Sequence, residues 1–559
     1  MTIEVCCACI SSHQRIEMAD YICDPIYDEE TKIIQGCPDV YEPDPKGLGH
    51  AFYNSMLKNE DLIAQIGWPS GRTETFGSLL KRCVRTAIAL RNSGVEPGDV
   101  ISLCSVNNFD NCVPFVAAQF IGAVVASLDP TIVLEDTEHL VKQVNPKFIF
   151  VSQDSEGMIR NALANVGLNE TRLVLIGDDS NFEDFACETE DESDFSPYEV
   201  EDNTTTAVIL FSSGTTGLSK GICVHHYGLS FQAHFLCNNG GVYDSMLSYA
   251  STYWISTVLF LNIQHLFGKM RCIVPKFDTN EFWEILEACK VTFIFMAPSQ
   301  VVRIIKAGRP EGVDTTSLHD IIIGGGPLSA ENNMLMGDLV PGAFVHLAYG
   351  QSEATGLLTC FRPSDRRDVL HMHKKYSSCG RPLSGIQYKI VDPESEEVLG
   401  FNQQGELRFK HKCQMNGYYN LDTTSSFDAD GWIKTGDIAY YDEDFCFYIV
   451  DRIKEMLKFQ AFHIPPAKIE GVLLAHPQIA QAVVIGIPNE EDGDHPMALV
   501  MLHAGKELTE EDLIKYVENR VEDRYRLRAG VRFLSSLPYT PSGKVKKNQL
   551  KKMILSGEL

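Results

Sequence analysis

The stretch TAVILFSSGTTGLSK, residues 206–220, joins an apolar run to a loop rich in glycine and hydroxyl groups. The run TAVIL has the length and composition of a short buried strand, so the loop leaves the end of a strand. Gly214 and Gly217 can adopt positive φ, which lets backbone N–H groups converge on an anion. Further donors come from the side chains of Ser212, Ser213, Thr215, Thr216 and Lys220.

This loop differs from the commonest phosphate-binding pattern. Two residues separate its glycines, whereas the usual P-loop reads GxxxxGK[ST]. Composition alone is compatible with a mobile turn as well as with a phosphate site. The neighbouring motifs therefore have to decide between these readings.

Length and charge limit the possible functions. The chain has 559 residues, more than a single hydrophobic core usually serves, so we expect at least two domains. Its formal net charge of −27 argues against nucleic acid or an anionic membrane as the partner, because clustered cations bind those surfaces. The 17 cysteines show no paired zinc spacing and predict mostly reduced thiols.

No segment has the features of a membrane span or a secretory signal. The most apolar stretch, residues 113–128, is interrupted by Pro114, Gln119 and Gly122 and predicts a buried helix followed by a strand. The C-terminal residues GEL differ from the SKL-type peroxisomal signal. We expect a cytoplasmic protein, with the peroxisome as the alternative.

Apolar runs alternate with helical stretches along most of the chain, which predicts parallel sheets covered by helices. These runs are residues 100–106, 147–152, 173–177, 291–297 and 321–326. We expect an α/β protein with a large N-terminal domain of stacked α/β subdomains and a small mobile C-terminal α/β lid domain. The predicted boundaries are an N-terminal extension (1–45), the large domain (46–451) and the lid (452–559). The acidic residues 178–202 predict a solvated surface connection.

Five further motifs follow the glycine loop. They are IIGGGPLS (322–329), HLAYGQSEATG (346–356), GWIKTGDIAYYDEDF (431–445), IVDRIKEMLKFQAFHIPPAKIE (449–470) and TPSGKVKKNQLKK (540–552). Each one alone is compatible with an ordinary turn, helix end or linker. Together and in this order they resemble the adenylate-forming superfamily of acyl-CoA synthetases, coumarate-CoA ligase-like enzymes and insect luciferases.

The resemblance implies an ATP site. The FSSGTTGLSK loop would meet the β- and γ-phosphates, Ser352 the α-phosphate, and Glu353 a Mg²⁺ ion, while Lys544 would be a mobile catalytic lysine. The nucleotide itself would be bound by Gly324, Gly325, Gly326, Tyr349, Gly350, Asp437 and Arg452. Within this set Tyr349 would stack on adenine and Asp437 would accept hydrogen bonds from the ribose hydroxyls.

The resemblance also implies a reaction, an AMP-forming acid–thiol ligation. A small carboxylic acid, fatty or aromatic, would react with ATP to give an acyl-adenylate, and the acyl group would pass to CoA. Lys454 would be the hinge of the lid. The pantetheine tunnel would be bordered by Lys458, Gln460 and Ala461, and the acyl pocket by Tyr253 and Trp254.

Two departures from the family keep other functions open. The loop usually written KYKGYQ or KFKGFQ reads KFQAFH here, and Tyr253 and Trp254 occupy the positions of two luciferase histidines. One alternative is an enzyme that stops at acyl-AMP or uses an acceptor other than CoA. Another is a non-catalytic protein that binds adenylates or acyl groups.

Overall fold

The structure is a computed structural model. It describes residues 24–38, 41–177, 180, 182–187, 192–212, 219–460, 462–538 and 545–559.

The first α/β sheet contains the strand that precedes the glycine loop. Its strands, in spatial order, are Gly417–Tyr418, Gly221–His225, Thr206–Phe211, Val124–Ala126, Val100–Cys104, Phe148–Ser152 and Arg172–Ile176. The five strands from Thr206–Phe211 onward are mutually parallel. Val100–Cys104 is buried along its whole length, as expected of a parallel strand covered on both faces.

A second α/β sheet continues the large domain. Its strands, in spatial order, are Phe344–Leu347, Asp320–Ile323, Phe293–Met296, Ser245–Leu247, Met270–Ile273, Ile63–Gly67 and Thr73–Thr75. Its first three strands run parallel, so their carboxyl ends lie along one edge. The predicted alternation of buried strands and helices is confirmed in both sheets.

Helices fill the space between these sheets and cover their outer faces. The largest apolar cluster involves the inner helices Leu48–Lys58, Phe76–Asn92, Cys112–Phe120, His226–Asn238 and Ile255–Phe267. The outer faces are covered by Leu134–Val144 and Gln153–Val166 on the first sheet, and by Phe282–Ala288, Pro298–Ala307 and Ala330–Leu339 on the second. Every helix of the described residues is too short or too polar to cross a bilayer.

Two further sheets complete the large domain. The antiparallel sheet has the order Ile26–Tyr27, Ile34–Gln35, Gln387–Val391, Gly405–Lys410, Ile433–Tyr441 and Phe447–Arg452, with Val398–Leu399 paired to Gln387–Val391. A three-stranded sheet joins Tyr349–Gln351, Gly356–Cys360 and Arg381–Pro382.

Two sequence predictions need correction. Residues 1–45 are not wholly an extension, because Ile26–Tyr27 and Ile34–Gln35 pair within the antiparallel sheet. The acidic stretch 178–202 is not simply a solvated connection, because its helix Phe182–Cys187 buries Phe182 against Phe150. Both segments carry enough apolar side chains to pack despite their polar composition.

The C-terminal domain has its own sheet and core. The strands are Phe462–Ile464, Leu457–Phe459, Gly493–Leu502 and Ile479–Asn489 in spatial order, with Val531–Phe533 paired to Gly493–Leu502. The helices are Pro466–Leu474, Glu510–Glu518 and Lys547–Ser556. The last strand of the large domain ends at Arg452, and the first strand of this domain begins at Leu457.

A buried ion cluster anchors the three-stranded sheet. The Asp368 carboxylate accepts hydrogen bonds from Arg362 Nε at 3.0 Å and from Arg381 Nη1 at 2.9 Å. Arg381 pairs across the sheet with Cys360, in the strand that follows the predicted Glu353 site.

We predict that Asp368→Ala lowers the free energy of unfolding by about 1–3 kcal/mol, because Arg362 and Arg381 lose buried hydrogen bonds and keep only the longer contacts with Asp365 and, for Arg381, with Asp24. Urea unfolding followed by tryptophan fluorescence measures this loss. The control is Asp430→Ala, which removes an exposed carboxylate. Equal stability of the two variants would contradict the assigned role.

Candidate active site

The glycine-rich loop after Asp320–Ile323 offers exposed backbone at the carboxyl edge of the second sheet. A Cβ on Gly324 would lie 3.2 Å from the Phe295 ring and 3.4 Å from the carbonyl oxygen of Ala348. Gly325 has φ +88°, a conformation that side chains rarely adopt. Ser329 then caps the helix Ala330–Leu339 by accepting a hydrogen bond from Asn332 N–H. A planar ligand could therefore approach this backbone closely.

Beside this loop, three predicted nucleotide-binding residues come together. Tyr349 Oη donates to Asp437 Oδ2 at 2.6 Å, and Arg452 Nε lies 3.4 Å from Asp437 Oδ1. Asp437 and Arg452 are direct partners on adjacent antiparallel strands. Burial and the nearby Asp437 carboxylate raise the pKa of Tyr349 well above its ordinary value, so the phenol stays protonated and keeps donating.

Thr435 fixes the backbone around Asp437 and was not predicted from the sequence. Its Oγ1 accepts a hydrogen bond from Asp437 N at 3.1 Å and donates to the carbonyl oxygen of Leu407 at 2.6 Å. The only sequence signal was the tripeptide Thr435-Gly436-Asp437, in which the threonine stands two residues before the predicted ribose-binding aspartate.

Glu353 and Lys220 both contact one aromatic side chain, Tyr418. Tyr418 Oη donates to Glu353 Oε1 at 3.4 Å, and Lys220 Nζ lies 4.7 Å from the Tyr418 ring centroid. The strand pairing of Ile222 with Tyr418 sets this arrangement. Sequence reasoning missed Tyr418, whose only signal was the aromatic pair in NGYYN, residues 416–420.

Ser212 and Lys220, from the FSSGTTGLSK motif, are joined by two hydrogen bonds. Ser212 N donates to the Lys220 carbonyl oxygen at 2.9 Å, and Lys220 N donates to Ser212 Oγ at 2.9 Å. These bonds hold Ser212 beside Lys220, which lies over the ring of Tyr418.

The backbone around Ser352 and Glu353 leaves no room for side chains on its flanking glycines. A Cβ on Gly350 would lie 2.1 Å from the carbonyl oxygen of Gly356. Ser352 and Glu353 occupy a short 3₁₀ turn between these glycines. Burial raises the pKa of Glu353, so a nearby cation would favour its ionised form.

Tyr253 and Trp254 differ in their surroundings. Tyr253 is buried and stacks near Phe211, with ring centroids 6.1 Å apart. Trp254 is half-buried, and its Nε1 donates to Asp129 Oδ2 at 3.0 Å, an oxygen that also accepts from Ser251 Oγ at 2.9 Å. Their assignment to an acyl pocket stays a prediction.

The predicted hinge residue Lys454 and two predicted tunnel residues, Lys458 and Gln460, are exposed. Gln460 has φ +53°, and its backbone N and side-chain Nε2 donate to Asp492 O at 2.6 Å and Oδ1 at 3.0 Å. No contact that we describe brings Lys458 or Gln460 to Asp437 or Glu353.

Several predicted site residues lie outside the described residues. They are Ser213, Gly214, Thr215, Thr216, Gly217, Ala461 and Lys544. Within the part of the chain that the structure describes, no group of three or more His, Cys, Asp and Glu side chains could hold a metal ion.

This chain is similar to known proteins along most of its length. A luciferin 4-monooxygenase of Photuris pensylvanica is 29% identical over 548 residues, covering 94% of this chain and 98% of the relative. A peroxisomal OPC-8:0-CoA ligase 1 of Arabidopsis thaliana is 29% identical over 530 residues, covering 92% and 94%. The solved luciferase-like enzyme from the nonluminescent Zophobas morio mealworm is 34% identical, with TM-score 0.72, covering 76% of this chain and 99% of that chain.

Family models match both domains. The model of the AMP-binding enzyme matches residues 52–419, and that of the AMP-binding enzyme C-terminal domain matches residues 468–544. The first match includes the glycine loop, Tyr349 and Glu353 and spans more than half of the chain. This protein therefore belongs to the AMP-binding enzyme family, within the adenylate-forming superfamily.

Proposed function

We propose that this protein is an ATP-dependent carboxylate–CoA ligase that forms an acyl-adenylate from a fatty or aromatic acid and transfers the acyl group to CoA. The observation that supports it best is the grouping of Tyr349, Asp437 and Arg452 beside the glycine backbone of residues 324–326. The relative from Arabidopsis thaliana, named a CoA ligase, supports the choice of acceptor.

The grouped residues suit a nucleoside. The ring of Tyr349 offers a face for adenine, and the backbone of residues 324–326 can approach the base closely. Asp437 accepts from Tyr349 at Oδ2 and faces Arg452 at Oδ1, and its carboxylate oxygens have lone pairs enough to accept from the ribose hydroxyls as well.

Glu353 fits a magnesium ion delivered with ATP. Mg²⁺ is commonly held by one or two carboxylates together with substrate phosphates, so a site with one carboxylate suits it. A bound Mg²⁺ would neutralise phosphate charge during the reaction. Burial raises the pKa of Glu353, and a neighbouring cation would keep this carboxylate ionised.

The first step needs charge neutralisation rather than a general base. A substrate carboxylate has a pKa near ~4 and is already an anion at neutral pH. Its oxygen attacks the α-phosphorus and pyrophosphate leaves, while Ser352 would hydrogen-bond an α-phosphate oxygen. Lys220 and Lys544 would supply positive charge to oxygens that gain negative charge in the transition state.

The second step transfers the acyl group. The CoA thiol would lose its proton to water, its sulfur would form the thioester bond to the acyl carbon, and the acyl C–O bond to AMP would break with AMP leaving as the anion. The exposed segment that contains Lys458 and Gln460 would border the pantetheine arm.

A second candidate is an adenylate-forming enzyme that uses an acceptor other than CoA. Two observations favour it: alanine replaces the usual glycine at position 461, and the Gln460 amide is bound to Asp492. An added methyl would narrow the space along which a pantetheine arm passes.

A product assay separates these candidates. Mg-ATP is incubated with short, medium, long and aromatic acids, with and without CoA, and products are identified by mass spectrometry. We expect acyl-CoA and AMP only when CoA is present. Acyl-AMP that accumulates equally with and without CoA would favour the second candidate, and no product from any acid would reject both.

Lys544→Ala tests the catalytic lysine. We expect adenylation to fall by about three orders of magnitude while ATP binding persists, because the ammonium acts mainly on the transition state. ATP–pyrophosphate exchange and equilibrium ATP binding measure the two quantities. Lys552→Ala, at an exposed position of the C-terminal helix, is the control. Unchanged exchange in Lys544→Ala would reject the assignment.

The raised pKa of Glu353 gives a pH prediction. Protonation removes its charge, so Mg²⁺-dependent ATP binding should weaken as pH falls through this pKa, above the value of about 4.3 for an ordinary glutamate. Calorimetric titrations at several pH values should show the weakening in the wild type. Glu353→Gln should bind more weakly and lose this part of the pH dependence. Identical profiles for the two proteins would contradict the role of Glu353.

A further inference from the structure

The first residue of the C-terminal helix is a mostly buried lysine. Lys547 begins the helix Lys547–Ser556, and its side chain is 21% exposed. A positive charge at a helix N-terminus opposes the helix dipole, and burial of an ammonium group is itself unfavourable. Lys547 therefore needs anionic partners to remain in this place.

Two glutamates provide these partners. Lys547 Nζ lies 2.9 Å from Glu470 Oε1 and 3.4 Å from Glu455 Oε2. Glu455 directly follows the predicted hinge residue Lys454, and Glu470 lies in the helix Pro466–Leu474. Glu470 Oε1 also accepts a hydrogen bond from Val484 N at 2.8 Å, which fixes its position.

A third carboxylate belongs to the last strand of the large domain. Asp451 Oδ2 accepts a hydrogen bond from Ala467 N at 3.2 Å, so the large domain satisfies a free N–H at the start of the helix Pro466–Leu474. Burial alone would lower the pKa of Lys547, but the carboxylates of Glu470, Glu455 and Asp451 raise it above its ordinary value. We call Lys547, Glu455, Glu470 and Asp451 the hinge cluster.

We propose that Lys547 is a positioning residue for adenylation: through the hinge cluster it fixes the chain three residues beyond Lys544 to the segment that joins the two domains. This inference rests on the proposed function, in which Lys544 supplies positive charge to the reacting phosphate. The lysine side chain is long and flexible, so its ammonium group is positioned for catalysis more effectively when its backbone is held at a defined place.

Lys551 provides a matched comparison on the same helix. Its Nζ lies 3.6 Å from Asp494 Oδ1, and its side chain is 34% exposed. Asp494 lies in the strand Gly493–Leu502, so this pair connects only elements of the C-terminal domain. Loss of Lys551 removes a charge from the helix without touching the segment between the domains.

The experiment separates the two half-reactions. Lys547→Met, Lys547→Arg and Lys551→Met are compared by ATP–pyrophosphate exchange, and by thioester formation from preformed acyl-AMP and CoA. For Lys547→Met we expect the kcat of exchange to fall about tenfold or more with the KM for ATP changed less than about twofold. Thioester formation, which does not need Lys544, should change less than about threefold.

Further variants test whether the effect comes from the charge of Lys547 or from a general loss of stability. Lys547→Arg keeps the charge and should restore exchange to within about threefold of the wild type, while Lys551→Met should match the wild type. Glu455→Gln removes one partner only and should lower exchange less than Lys547→Met. Melting temperatures are measured for all variants.

Other outcomes overturn the inference. Equal losses in both half-reactions, accompanied by a lower melting temperature, would mean that Lys547 only stabilises the domain. Unchanged exchange in Lys547→Met would reject the role directly. Absence of exchange in the wild type with every acid would instead reject the proposed function. Amide hydrogen exchange at residues 452–456 and 467 tests the anchoring separately from activity. Faster hydrogen exchange in Lys547→Met than in Lys551→Met supports the anchoring, and equal hydrogen exchange in the two variants overturns it.

Discussion

The Asp437 carboxylate is the constraint around which the large domain is arranged. Asp437 lies in the antiparallel sheet. It accepts a hydrogen bond from the hydroxyl of Tyr349, which belongs to the three-stranded sheet that follows the second α/β sheet. A buried carboxylate that loses its hydrogen-bond donors costs on the order of 1–3 kcal/mol of folding free energy for each lost hydrogen bond. The bond therefore fixes two separately built sheets relative to each other. The partner strand of Asp437 continues through Arg452 into the segment that joins the domains.

Charge explains why the candidate site needs local cations. The chain as a whole carries −27, which would repel a nucleotide and an organic acid alike. Lys220 lies close to Glu353 because both contact Tyr418, and Arg452 contacts Asp437 directly. Each is held by an aromatic ring or a carboxylate, so positive charge is presented at fixed points within an acidic protein.

The sequence predicted the parts of the fold where burial is continuous. Strands such as Val100–Cys104 and Asp320–Ile323 are covered on both faces and therefore stand out as apolar runs. The antiparallel sheet was not predicted, because its strand Gly405–Lys410 contains Glu406 and Arg408, which resemble surface residues. In the structure both are buried, and Arg408 Nε lies 2.8 Å from Glu406 Oε2.

The site was predicted in the same uneven way. Motif order selected Tyr349, Glu353 and Asp437 as candidates, since each stands in a glycine-containing motif with a recognisable local pattern. Tyr418 and Lys547 were missed because their partners are far away in sequence: Tyr418 meets Glu353, and Lys547 meets Glu470. Pairings of this kind follow from the packing of elements and leave no local spacing to detect.

Gln232 ties an interior helix to the three-stranded sheet. Its side-chain amide is buried, donating to the Leu357 carbonyl oxygen at 2.9 Å and accepting from Leu357 N at 3.3 Å. Gln232 thus serves the strand that follows Glu353 as if it were part of a neighbouring strand. The helix His226–Asn238 therefore sets the position of the backbone that follows Glu353, and a side chain without an amide at residue 232 would leave two backbone groups unpaired in the interior.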